Sequence, residues 1–210
     1  MKLTIFGATG KTGEHLVHEA LKRGHIVTAF ARTPSKLTIR HEQLEVVEGD
    51  ITQSEKVADA IKGAEGVISA IGPIPGSPDD LMEKAAENIL AGMKAHNVKR
   101  LIWAAGAGVT APQDEPTGMH RVINFLLKLF APKVLENSLR GVAVIKESDL
   151  DWTICRAPML TDDPDRGNFR ISYVNSNMGR ALSRQNFAIF MLDMVESDTW
   201  IHDMPAASDK

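Results

Sequence analysis

Residues 2–13, KLTIFGATGKTG, run a short apolar segment into three glycines spaced three apart, and Leu16, Val17, Ala20 and Leu21 then recur on one helical face. A strand that turns through glycine into an amphipathic helix starts a strand–helix–strand unit, and such a unit commits the next strand to a parallel neighbour position. In this setting Gly7 allows the tight turn, Gly10 lets backbone approach a ligand closely, and Gly13 lets the helix pack against the turn. The helix start then offers free amides to a pyrophosphate. Glycines also end strands for purely structural reasons, so the placement between strand and helix carries the inference.

The rest of the chain repeats the alternation. Strand-length apolar runs are KLTIF (2–6), IVTAFA (26–31), LEVVE (44–48), GVISAI (66–71), RLIWAA (100–105) and DWTIC (151–155). A longer helix is marked by Leu81, Met82, Ala85, Ala86, Ile89, Leu90 and Met93. Alternating elements with nearly continuous apolar strands predict an α/β fold: a single Rossmann-like domain, 1–210, with a doubly wound parallel sheet and helices on both faces. Its ligands would bind beyond the loops after Phe6, Ala31, Glu48, Ile71, Ala105 and Cys155. The stretch GPIPGSPDD (72–80) reads as one such loop, and segments of about 106–131 and 156–185 read as substrate-side. A helix with Phe187, Ile189, Phe190, Met191 and Met194 inward and a short strand at Trp200 and Ile201 form a small C-terminal extension, after which MPAASDK is expected to fray.

The second strand indicates the cofactor. A carboxylate near its end would bind an unmodified ribose, whereas a cation accommodates a 2′-phosphate. The strand ends in Phe30, Ala31 and Arg32, with Lys36 four residues on and no carboxylate between, so NADPH is expected over NADH.

A formal charge of −3 gives no basic excess for nucleic acid or an anionic membrane, leaving a small molecule as the expected partner of a monomer or homodimer. Cys155, the single cysteine, sits in WTIC and reads as a buried structural thiol. The chain starts directly in a strand without a signal-peptide pattern, and Lys128, Pro132 and Lys133 break the apolar segment 122–135 short of a membrane span, so a cytoplasmic protein is expected. Val122–Phe130 is apolar around most of its circumference and is expected to pack beneath a following helix at 133–147, with a lid or a self-association surface as alternatives. His15 and His18 are three apart without a third ligand, so no metal is expected. His120 is a candidate proton donor if its loop folds over the cofactor.

GATGKTG, ARTPSKL (31–37), EGDI (48–51), GVISAIG (66–72), ENILAGMKAHNVKRLIWAA (87–105) and KESDLDWTICRAPMLTD (146–162) together resemble the atypical short-chain dehydrogenase/reductase family. The branch in question holds biliverdin reductase B and the NADH-flavin reductase-like proteins, with NmrA-like relatives. The resemblance implies that Gly7, Thr9, Gly10, Lys11, Thr12 and Gly13 wrap the pyrophosphate, Arg32 and Lys36 hold the 2′-phosphate, and Asp50 and Ile51 flank adenine. It also implies that Ala70, Ile71 and Gly72 pass beneath the ribose and that Ala104, Ala105 and the turn Arg156, Ala157, Pro158 approach the nicotinamide.

Departures from the family narrow the chemistry. The usual Tyr-x-x-x-Lys pair is absent, since Asn177 stands four residues after Tyr173, which is read as structural. Gly106 and Met159 fall on the substrate side, where the resemblance would place a serine and a histidine. Hydride transfer to a flavin or another planar acceptor needs mainly two stacked rings, so an NADPH-dependent flavin reductase-like enzyme is the expected function. An NADPH-binding sensor without catalysis, of the NmrA-like kind, is the alternative.

Overall fold

Along β1 (Lys2–Phe6), Leu3 and Ile5 enter one apolar core and Phe6 enters a second, the two-sided burial expected of a strand covered on both faces. The computed structural model describes residues 1–74, 76–106, 108–163 and 168–209. After β1 come α1 (Lys11–Lys22), β2 (Ile26–Ala31), β3 (Leu44–Glu48), α2 (Ser54–Ile61), β4 (Gly66–Ser69), α3 (Leu81–Ala95) and β5 (Arg100–Gly106). There follow α4 (Gly118–Phe130), α5 (Pro132–Lys146), β6 (Asp151–Ala157), β7 (Met159–Thr161), β8 (Phe169–Ser172), β9 (Ala181–Ser183), α6 (Arg184–Val195) and β10 (Ala206–Asp209).

The main sheet has the order β3-β2-β1-β4-β5-β6-β10-β8, parallel throughout except for β8, which runs antiparallel to β10. Strand order reverses between β1 and β4, where Phe6 stands in register with Phe30 on one side and Ser69 on the other. That reversal opens a crevice beyond the carboxyl ends of the strands. One core packs α1 and α6 on the sheet through Leu16, Val17, Phe187 and Met191; the other packs α2, α3 and α5 through Val57, Ile61, Ile89, Met93 and Ile145. Thr4, buried in mid-strand, is satisfied by donating to the Ala60 carbonyl at 2.7 Å.

Several expectations are corrected. Residues 200–201 form a turn with left-handed φ at Trp200 and His202, and the strand lies further on, at Ala206–Asp209. Far from fraying, Ala206, Ala207 and Ser208 are buried between β6 and β8. The strands expected at 100–105 and 151–155 extend to Gly106 and Ala157, and the one at 66–71 stops at Ser69. Val122–Phe130 is not packed beneath the next helix: Val122, Phe125, Leu129 and Phe130 are all more than half exposed. No helix among the described residues is long and apolar enough to cross a membrane.

Candidate functional site

The glycine turn lies against the floor of the crevice with no room to spare. Gly7 adopts φ 78°, and a Cβ there would stand 2.9 Å from the Ala70 carbonyl carbon. A Cβ on Gly13 would fall 2.0 Å from the Gly7 oxygen, so only glycine lets α1 begin this close to the turn. Gly10 caps α1 without any side-chain hydrogen bond, and its own amide donates to the Gly7 carbonyl at 2.9 Å. The first amides of α1 therefore face outward with the positive end of the helix dipole, the donor set a pyrophosphate requires.

Beside the turn runs a crevice of about 170 Å³. Its lining comes from Thr12 of α1, the Ala70–Pro73 segment after β4, Met82 of α3, Trp103–Gly106 of β5, Ala157 at the end of β6 with Pro158 just after it, Leu160 of β7 and Phe187 of α6. Ser138 enters from α5, whose position is set by buried Asn137: its amide oxygen accepts from the Met82 amide at 2.8 Å and its Nδ2 donates to the Pro78 carbonyl at 2.6 Å. Ser138 itself donates to the Val134 carbonyl at 3.0 Å. Thr12, Ser138 and the indole of Trp103 are the lining side chains that carry a polar group, and none is ionisable among the described residues.

A second hollow, beyond β2 and β3, is lined by Arg32, Glu48, Gly49, Asp50, Gln53 and Lys56. Asp50 closes a small turn, its Oδ1 accepting from the Thr52 amide at 2.9 Å and hydroxyl at 2.7 Å. Those two bonds, aided by Arg32, hold its carboxyl below the usual range against a desolvation effect that opposes them. Asn88 of α3 donates to the Ile51 carbonyl at 2.8 Å and so fixes the same loop. Gly49 is required here because a Cβ would lie 2.5 Å from the Phe30 ring.

The expected residues separate clearly. Gly7, Thr9, Gly10, Thr12 and Gly13 form the turn and helix start, while Ala70, Ile71, Gly72, Ala104, Ala105, Gly106 and Pro158 line the adjoining crevice. Lys11 is at the helix start but pairs with Asp162 at 2.7 Å; Arg184 holds the other oxygen of Asp162 at 2.6 Å. Arg32 borders the second hollow with Asp50, but Lys36 is outside its lining, exposed on a short 3-10 turn, and Lys56 of α2 stands there instead. Lys56 was missed because a helix crossing, not chain proximity, brings it near Arg32. Ile51 is buried beneath the loop.

Three expected residues lie outside the crevice lining. The Arg156 side chain, wholly buried, does not enter the crevice: it grips Asp114 through two bonds of 2.6 and 2.7 Å and also donates to the Met204 and Val109 carbonyls. Burial opposes ionisation of Asp114, but Arg156 and the amides of Ala111 and Val174 outweigh it and keep the carboxyl below its ordinary range. His120 caps α4, its Nδ1 accepting from the Thr117 amide at 3.2 Å and contacting the Thr117 hydroxyl at 3.0 Å, and it is not in the crevice lining. Met159 is 66% exposed; its neighbour Leu160 is the one that faces the crevice, as strand alternation dictates.

Other residues take structural places. The Tyr173 hydroxyl donates to Asp203 and its ring meets Trp200 edge-on at 5.2 Å; the bond to Asp203 and burial push its pKa up to about 12. Cys155 is fully buried, which pushes its thiol up. His15 and His18 are exposed, and no cluster of three metal-ligating side chains occurs among the described residues.

Comparison with known proteins fits this geometry. The sequence model of a family described as NAD(P)H-binding matches residues 7–198. Protein YwnB of Bacillus subtilis is 29% identical over 205 residues, 93% of this chain and 92% of that one. The chloroplastic protein At2g34460 of Arabidopsis thaliana is 28% identical over 179 residues, 80% of this chain but 62% of its own length. Among solved structures, the oxidoreductase ylbE of Lactococcus lactis superposes with a TM-score of 0.82 at 19% identity, covering 100% of this chain and 91% of that one. A short-chain dehydrogenase/reductase from Veillonella parvula, solved in complex with NADP, superposes with a TM-score of 0.80 at 20% identity, covering 99% and 94%.

Proposed function

The chain belongs to the NAD(P)H-binding family, and on that premise we propose that it is an NADPH-dependent reductase that passes hydride to a flavin or another planar acceptor. The observation that carries this reading is the continuity of the glycine turn with an apolar crevice lined by Ala70–Pro73, Ala104–Gly106, Ala157, Pro158 and Leu160.

Each part of the chain has a defined task in this reading. The amides at the start of α1 take the pyrophosphate, and Gly7, Gly10 and Gly13 bring them close enough. At the adenosine end Arg32 supplies a planar two-pronged donor to a 2′-phosphate and Lys56 a second cation, while Asp50 is engaged by Thr52. Bound NADPH supplies the hydride. With NADPH bound, Ala104–Gly106 and Pro158 would form the wall against which the nicotinamide and a planar acceptor are positioned. Gly106 leaves space for the acceptor, since a Cβ there would meet nothing within 4 Å. With no ionisable side chain lining the crevice among the described residues, the proton reaches the reduced acceptor from solvent at the open mouth.

The same lack of an ionisable group favours a second reading, an NADPH-binding sensor that performs no turnover. Incubation with NADPH and FMN, riboflavin or a quinone-like dye separates the two: loss of nicotinamide absorbance supports the reductase, and tight NADPH binding with no turnover on any acceptor supports the sensor.

A further inference from the structure

Helix α4 has one side joined to the body and one side left bare. Leu127 meets the chain near Gly108, where a Cβ would lie 3.3 Å from both Leu127 and Leu135. On the opposite side Val122, Phe125, Leu126 and Leu129 follow one another at helical spacing and are exposed by 53%, 64%, 43% and 59%, with Phe130 beyond them at 79%. Isolated exposed leucines need no explanation, but two phenylalanines, two leucines and a valine on one side of one helix form a contiguous patch.

The charge beside this patch identifies what it fits. Arg121 and Lys128, seven apart, border the apolar side, and Lys133 follows at the start of α5; residues 116–135 contain these three cations and no carboxylate, within a chain of net charge −3. Among the described residues neither Arg121 nor Lys128 has a carboxylate within ion-pair distance, whereas Lys133 reaches exposed Asp79 at 3.5 Å. A second copy of α4 would bring like charges together with no carboxylate on either segment to receive them. An anionic bilayer surface answers both properties: phenylalanine and leucine enter the boundary between headgroups and acyl chains, and bordering cations reach lipid phosphates. Thirteen residues give a helix about 20 Å long, suited to lying in the interface and too short to span it.

We propose that the bare face of α4 docks this protein on anionic membrane surfaces. Overall net charge gives no reason to expect a membrane partner, whereas the local charge of this one segment favours an anionic surface. The inference does not depend on the reductase reading.

Co-sedimentation with phosphatidylcholine vesicles, with and without phosphatidylglycerol, tests it. The full chain should sediment at least about tenfold more with the anionic vesicles, and added salt should weaken the association. The double variant Phe125→Asp, Leu129→Asp should lose that binding while its NADPH affinity and circular dichroism stay unchanged. Arg121→Gln, Lys128→Gln should weaken anionic binding severalfold and remove most of its salt dependence. Three results overturn the proposal: no preference for anionic vesicles, equal binding by the Phe125, Leu129 variant, or a solution dimer that this variant breaks while the parent chain ignores vesicles.

Discussion

Gly7 and Ala70 meet backbone to backbone, with a hypothetical Gly7 Cβ only 2.9 Å from the Ala70 carbonyl carbon and Gly7 itself at φ 78°. This contact joins the turn after β1 to the segment after β4, so the glycine turn and the crevice floor are continuous. Gly7→Ala adds both a clash and left-handed strain, and it should cost about 1–3 kcal/mol of folding stability. Thermal unfolding measures that loss. Calorimetric titration of the folded fraction should show NADPH affinity lowered at least about tenfold.

At the adenosine end, Arg32→Ala should raise the dissociation constant for NADPH by about 10- to 100-fold, the range of a charge-assisted hydrogen bond, and leave that for NADH nearly unchanged. Lys56→Ala should act in the same direction with smaller effect, because an ammonium is a point charge without the guanidinium's fork. Lys36→Ala should change neither. Paired titrations of each variant with the two cofactors provide the check, and an effect at Lys36 larger than at Lys56 would refute the placement drawn from the hollow beside Arg32.

Removal of Asp114 should be among the most damaging single changes. Its side chain is 5% exposed and that of Arg156 is wholly buried, so Asp114→Ala leaves a buried guanidinium without its counter-charge and should cost about 3–5 kcal/mol. Chemical denaturation of the variant measures it directly.

The same carboxyl makes stability acid-sensitive. Its folded pKa lies below the ordinary 3.8, so the unfolded chain binds the proton more readily. The contribution is fully present above about pH 4 and is lost as pH falls through the folded value. Denaturation midpoints followed downward from pH 6 should therefore fall more steeply for the parent chain than for Asp114→Asn.

His120→Ala should cost about 1 kcal/mol, as loss of a helix cap does, and should leave acceptor turnover within about twofold. A large loss of turnover at unchanged stability would restore His120 as a proton donor.

The parts of the molecule that were legible from sequence are those written in short-range pattern. Three glycines between KLTIF and an amphipathic helix carry their own backbone geometry, and the apolar runs at 26–31, 66–69 and 100–103 announce parallel strands because most of their residues are buried. Side-chain partners far apart in sequence were not legible. Arg156 sits in a motif that suggests the cofactor, but its partner Asp114 lies 42 residues away, and nothing local reveals that pairing. Lys56 replaces Lys36 beside Arg32 for the same reason. Ala206–Asp209 lacks the β-branched residues that mark strands, and only its register with Arg156 and with Phe169–Ser172 makes it one. The sequence of α4 shows that it is too apolar for a solvent-facing helix, but not what covers it, and most of its apolar side chains remain exposed.

The reaction proposed for the apolar crevice is hydride transfer from NADPH to a planar acceptor. Anaerobic mixing of the protein with NADPH and FMN, followed by flavin absorbance, reads that transfer out. Bleaching should run far above the protein-free rate, saturate at lower NADPH than NADH and be slowed in Arg32→Ala at limiting NADPH. Bleaching no faster than without protein, at NADPH concentrations shown by titration to fill the site, would contradict it.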